Sequence, residues 1–156
     1  MVRVIFLDID GVLNTGEWLH RNMTFTGSLS EMPEEWWVGL LDPSLVENLN
    51  DLIRQTGAEV VISSSWRRYN DPVTLQRVLE GAGFCGKVIG ATVARFSSTP
   101  RGFAVREWLH ENVGVESFVI LDDRSDVEPF SAYHVKTEPD TGFHIGLVPE
   151  AVTILR

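Results

Sequence analysis

The chain has 156 residues, 44% hydrophobic and 22% charged, proportions of an ordinary globular domain that exclude disorder and collagen-like order. Lys and Arg number 13 and Asp and Glu 22, a net charge of −9, which excludes a general phosphate-backbone binder but leaves room for a local basic patch. The longest apolar runs, such as Val4–Leu7 and Val60–Ile62, are too short to span a bilayer, the N-terminus lacks the apolar core of a signal peptide, and Cys85 is the single cysteine, so one domain over residues 1–156 in a reducing cytoplasm is expected.

The chain reads as strand and helix in alternation. Arg3–Leu7 carries the run Val4-Ile5-Phe6-Leu7 and ends on Asp8, the pattern of a strand buried on both faces. Asp42-Pro43 opens a helix, with Asp as N-cap and Pro in the first turn, and Gly57 closes it. Glu59–Ser63 reads as a second buried strand. Asp71-Pro72 starts a second helix through Leu75, Val78 and Leu79. Lys87–Gly90 is a short strand, and Thr99-Pro100 begins a third helix. Ser117–Leu121 is a strand ending on Asp122-Asp123, Tyr133–Lys136 a last strand, and Pro149–Leu155 a last short helix. This alternation predicts a three-layer α/β/α sandwich with a mainly parallel, Rossmann-like sheet. Ligands in such folds bind beyond the carboxyl ends of the strands, where this sequence puts Asp8 and Asp10, Ser63–Ser65, and Asp122, Asp123 and Asp126.

Residues 14–41 break the alternation. They hold Trp18, Trp36 and Trp37 with Met23, Phe25 and Met32, and read either as a hydrophobic cluster over a sheet edge or as a flap that closes on substrate. His20, His110, His134 and His144 show no metal-ligand spacing.

The sharpest motif is Phe6-Leu7-Asp8-Ile9-Asp10-Gly11-Val12-Leu13. Two carboxylates two residues apart, just past a buried strand, share a face if strand geometry persists. Burying both is costly unless a divalent cation neutralises them, and such a cation lets an anionic phosphate approach an anionic nucleophile. Gly11 allows a sharp turn after the pair.

The motif resembles the first motif of the haloacid dehalogenase-like (HAD) phosphohydrolases. Val60-Val61-Ile62-Ser63-Ser64-Ser65-Trp66-Arg67 resembles the second, Arg101 the third, and Val119-Ile120-Leu121-Asp122-Asp123-Arg124-Ser125-Asp126 the fourth. The order covers nearly the whole chain. The Ser-Ser-Ser-Trp-Arg and Leu-Asp-Asp variants are similar to a small, capless HAD branch associated with nucleic-acid repair.

The resemblance implies a HAD-like phosphomonoesterase without a large cap domain, working through an aspartyl-phosphate. Asp8 would be the nucleophile and Asp10 the general acid and base; Ser63 would donate to a phosphoryl oxygen and Arg101 neutralise it. Magnesium would be held by the Asp8 carboxylate, the Asp10 backbone carbonyl, Asp122 and Asp123. Alternatives stay open at several positions: Ser64 for Ser63, Arg106 for Arg101, and Asp126 as either a fourth-motif ligand or a helix cap. Arg67 is read as contacting a second phosphate and Trp18 as contacting substrate. The expected substrate is a phosphorylated nucleic-acid end, a polynucleotide 3′-phosphate first. A nucleotide or other small phosphoester is the alternative, and a non-catalytic HAD-like binding module is the reading from a different class.

Overall fold

The computed structural model describes residues 1–24 and 27–156; Phe25, read above with the aromatic insert, lies outside them. Five strands, β1 (Val2–Leu7), β2 (Glu59–Ile62), β3 (Val88–Ala91), β4 (Val115–Asp122) and β5 (His134–Lys136), form one parallel sheet in the order β3-β2-β1-β4-β5. The helices are α1 (Gly16–Asn22), α2 (Glu34–Gly39), α3 (Pro43–Thr56), α4 (Pro72–Gly81), α5 (Arg101–Glu111) and α6 (Val148–Leu155). The predicted α/β sandwich is present, and no large cap interrupts it.

The apolar run of β1 is explained by its central place. Side chains alternate across a strand, so Ile5 and Leu7 enter one core while Val4 and Phe6 enter the other. The larger core joins them to Leu49 and Leu52 of α3, Leu75 and Leu79 of α4, and Val152 and Leu155 of α6. The smaller core lies under α5, where Trp108 meets the Phe6 ring edge-on at 5.5 Å. No α-helix links β4 to β5, only the 3₁₀ turn Ser131–Tyr133; Val127 and Phe130 of that connection cover the face instead.

The helix ends follow the local chemistry. Asp42 accepts from Ser44 N at 2.9 Å, and Gly57 closes α3 with φ 70°. Asp71 accepts from Thr74 N at 2.8 Å at the start of α4. Helix α5 has only Pro100 before it. Its first amides are met from a distance, Arg101 N by Asp126 Oδ2 at 3.4 Å and Gly102 N by Asp126 O at 3.0 Å. A side chain on Gly102 would strike the Glu128 carbonyl, so this approach requires glycine.

Residues 14–41 form α1, a 3₁₀ turn at Leu29–Glu31 and α2. Trp37 of α2 is core, 3% exposed, with Trp66 at 4.9 Å edge-on and Tyr69 stacked at 5.9 Å. Glu34 of α2 pairs with Arg77 of α4 at 2.7 Å.

Register brings the polar strand ends into one row. Leu7 stands beside Ile62 on one side and Leu121 on the other. Asp8, Ser63 and Asp122 follow those three residues, and the amides of Asp8 and Ser63 extend the ladder at 2.9 and 2.8 Å.

Candidate active site

The row ends in a buried charge cluster. Arg101, 8% exposed, opens α5 and reaches across both acids, with its Nη2 3.4 Å from Asp8 Oδ1 and its Nε 3.2 Å from Asp122 Oδ2. Its Nη1 donates to the Ser63 carbonyl. The Nε contact is close without the alignment of a hydrogen bond. Arg101 Nε, Asp122 Oδ2 and the Ser63 hydroxyl are therefore buried with no hydrogen-bond partner. Buried polar atoms are rarely left so.

Asp8, Asp122 and Asp123 each offer an oxygen within 4.8 Å of the others. Burial, then the neighbouring Asp122, holds the Asp8 carboxyl well above the usual carboxylate range, against the pull of Arg101. Burial likewise raises Asp122, opposed by Arg101 and by the Arg124 amide, which donates to Asp122 Oδ1 at 2.9 Å. In their charged forms the three carboxylates exceed the one guanidinium by two charges, which a divalent cation balances. The acidic oxygens, one of them unpartnered, fit a hard divalent cation.

Asp126 is not in this cluster. Its carboxylate is paired with Arg124 and caps α5, so of its two sequence readings the structure gives it the cap.

Asp10 is exposed at the mouth and its carboxylate is held from two sides. Asn14 Nδ2 donates to its Oδ1 at 3.0 Å and Trp66 Nε1 donates to the same oxygen at 3.2 Å. Among the described residues, Oδ2 has no hydrogen-bond partner, and the residue is exposed. Asn14 is fully buried; it also accepts from Gly11 N and donates to the Leu40 carbonyl, both at 3.0 Å. Gly11 has φ 79°, and a Cβ there would collide with the Asp123 carboxylate. The glycine is required both for the turn and for the approach of the acid.

The C-terminal segment clamps the same turn. Thr137 Oγ1 donates to Gly11 O at 2.7 Å and Thr137 N to Asp122 O at 3.1 Å. Gly16 N donates to Pro139 O at 3.0 Å and Phe143 N to Val12 O at 2.7 Å.

Ser64 and Ser63 separate cleanly. Ser64 Oγ accepts from Trp66 N at 3.1 Å and caps the 3₁₀ turn Ser65–Arg68; Ser63 Oγ is the unpartnered hydroxyl. Arg67 is half-buried and donates to the Ser64 carbonyl. Burial, then the charges of Arg101 and Arg68, push its guanidinium down to about 10, so it remains cationic at neutral pH. Arg106 lies on the exposed side of α5 over the Phe103 ring, away from the acids. Trp18 donates to the Gly39 carbonyl at 3.1 Å under Arg21. A cavity of about 90 Å³ adjoins Asp10, walled by Met23, Trp36, Trp37, Trp66 and Tyr69; Trp18 is not among its lining residues.

Sequence reasoning missed Asn14, Thr137 and the part Trp66 plays as a donor to Asp10. A polar Asn after the apolar Val12-Leu13 was a usable signal for the first. Thr137 had none, because its partner is distant in the chain.

An Asp-x-Asp turn leaving a central parallel strand, backed by a buried arginine and late acids, defines a HAD-like protein of the kind without a large cap. A family model described as the HAD domain in Swiss Army Knife RNA repair proteins matches residues 4–145. The chain belongs to that family. No curated protein and no solved structure matches it. Membership supports HAD-like phosphohydrolase chemistry in general, and HAD proteins generally use a divalent metal. No helix among the described residues is long and apolar enough to cross a membrane.

Proposed function

We propose that this chain is a magnesium-dependent phosphomonoesterase that removes a terminal phosphate from a polynucleotide, a 3′-phosphate first, through an aspartyl-phosphate on Asp8. The observation that carries it is the convergence of Asp8, Arg101, Asp122 and the orphaned Ser63 hydroxyl at the strand ends. Occurrence of the family in RNA repair proteins supports RNA as the polynucleotide.

Asp8, Asp122 and Asp123, with the Asp10 carbonyl, are the residues that would hold magnesium. When bound, the ion supplies charge neutralisation between the carboxylates and the phosphate. An Asp8 oxygen attacks phosphorus, the new O–P bond forming as the bond to the leaving oxygen breaks. Asp10 gives that oxygen a proton from Oδ2, while Asn14 and Trp66 hold Oδ1 in place. Arg101 and the Ser63 hydroxyl stabilise the equatorial phosphoryl oxygens. Asp10 then takes a proton from water, whose oxygen attacks phosphorus and releases phosphate and the Asp8 carboxylate.

The net charge of −9 favours a second reading, a nucleotide or other small phosphoester as substrate. Turnover of 3′-phosphorylated RNA, 5′-phosphorylated RNA, mononucleotides and sugar phosphates decides between them, with Asp8→Asn as the control. The 3′-phosphorylated RNA is expected to give the highest kcat/KM, and Asp8→Asn to fall to background with an unchanged fold. Highest turnover on a sugar phosphate, or activity retained in Asp8→Asn, overturns the proposal.

A further inference from the structure

The basic side chains of this acidic chain are distributed unevenly. Arg3, Arg21, Arg54, Arg77, Arg101, Arg124 and Lys136 each meet a carboxylate. Among the described residues Arg67, Arg68, Lys87, Arg95, Arg106 and Arg156 do not, and of these Arg67, Arg68 and Arg95 follow β2 and β3, at the strand ends that carry the site. Arg67 donates to the carbonyl of Ser64, the residue after Ser63, which puts it at the site's edge. A groove of about 360 Å³ runs outward from it between Arg68, Asn70, Thr92 and Val93. A further hollow of about 220 Å³ shares Ala91 and Val93 with that groove and reaches Arg95, where Glu107 and Glu111 also line it.

Two aromatic side chains accompany the cations. Tyr69 is 43% exposed and also walls the cavity beside Asp10, while Phe96, next to Arg95, is 70% exposed. Cations beside exposed rings suit a single strand, whose phosphates take the charge and whose bases stack. At Arg95 the character changes: Glu107 and Glu111 line both hollows that Arg95 borders, and these acids would repel a phosphodiester running further.

We infer that Arg68 and Arg95 line a docking track for the single strand upstream of the reacting phosphate, entering at Arg67 and ending at Arg95. This rests on the polynucleotide reading above and extends it to a surface outside the catalytic centre. The excess of acid elsewhere then acts against non-specific adhesion, leaving this track as the one favourable approach.

The test is equilibrium binding of a fluorescein-labelled single-stranded RNA ending in a 3′-hydroxyl, which reads the track without turnover. Arg68→Glu/Arg95→Glu is compared with the parent across salt, alongside hydrolysis of p-nitrophenyl phosphate and thermal melting. Each phosphate contact contributes about 0.7 to the salt slope for single strands. Loss of two contacts flattens the slope by about 1.4, so between 50 and 200 mM salt the parent loses roughly sevenfold more affinity than the variant. p-Nitrophenyl phosphate turnover and melting stay at parental values. Arg68→Gln/Arg95→Gln gives the same flattening if the charge reversal impairs folding.

An unchanged slope, no RNA binding by the parent, or a phosphopeptide that displaces the RNA at lower concentration overturns the track. Binding through Arg68 and Arg95 with no phosphate released from the same RNA carrying a 3′-phosphate upholds the track and overturns the 3′-phosphatase reading instead.

Discussion

The indole N–H of Trp66 holds the carboxylate of Asp10 at 3.2 Å across 56 positions of sequence. Trp66 is 3% exposed and packed on Trp37, so the position of the proposed acid is tied to the aromatic core. Trp66→Phe keeps an apolar ring but removes the donor. A hydrogen bond to a charged group contributes about 1.5 kcal/mol or more, so kcat should fall by roughly tenfold with KM little changed. Steady-state kinetics on 3′-phosphorylated RNA checks this. A raised KM with intact kcat would mean that Trp66 serves binding rather than the acid.

The metal requirement should separate Asp122 from Asp126. Asp122 belongs to the three-carboxylate cluster, whereas Asp126 is committed to Arg124 and the α5 amides. Asp122→Asn is expected to need far more magnesium for half-maximal activity, and Asp126→Asn close to the parental concentration. A chelator should abolish parental activity and added magnesium restore it. Calcium should bind without supporting comparable turnover, because its looser coordination misplaces the nucleophile.

Asp126 should instead appear in the pH dependence of stability. Partial burial opposes its charge, but Arg124 and the amides prevail and hold its carboxyl below the usual range. A depressed folded-state pKa adds stability above the unfolded value, about 3.9 for Asp, and loses it as pH falls through the folded value. Asp126→Asn should therefore melt lower than the parent at neutral pH and converge with it in acid. A loss of about 1 kcal/mol would lower Tm by roughly 2–4 °C. Melting curves from neutral to acid pH measure it; a gap that persists unchanged in acid would assign the loss to something other than the charge.

The aromatic insert should divide by burial. Trp37 is core, and Trp37→Ala is expected to cost about 3–5 kcal/mol and to lower activity on every substrate through stability. Trp36 walls the cavity beside Asp10. If it stacks on the terminal base, Trp36→Ala should reduce kcat/KM on RNA by roughly 5- to 150-fold, the equivalent of about 1–3 kcal/mol. Hydrolysis of p-nitrophenyl phosphate should change little. Equal losses on both substrates with a lowered Tm would make Trp36 a packing residue as well.

Strand ends were legible in the sequence because buried parallel strands are nearly continuous apolar runs, and a run that stops on Asp or Ser marks its own carboxyl end. Asp42, Gly57 and Asp71 were legible for a similar reason, since cap chemistry is local. Residues 14–41 were less so, because α1 and α2 run for fewer than two helical turns, too short for a periodic pattern to repeat, and Trp37 is buried through contacts with Trp66 and Tyr69, well downstream. Ser63 and Ser64 could not be told apart from a run of three serines; the ladder bond from Ser63 N to Leu7 O distinguishes them. Asp126 as the cap of α5 needed the loop after β4 to fold back on a helix that precedes it.

Thr137 joins the turn at Gly11 from 126 positions away. Translation delivers Asp8 and Asp10 well before Thr137. A nascent or truncated chain ending before β5 would carry every proposed catalytic group and still lack the bond that seats the nucleophile loop. Competence is thus coupled to completion: the far end of the domain certifies the near end, and partial chains of this protein are expected to be silent rather than weakly active.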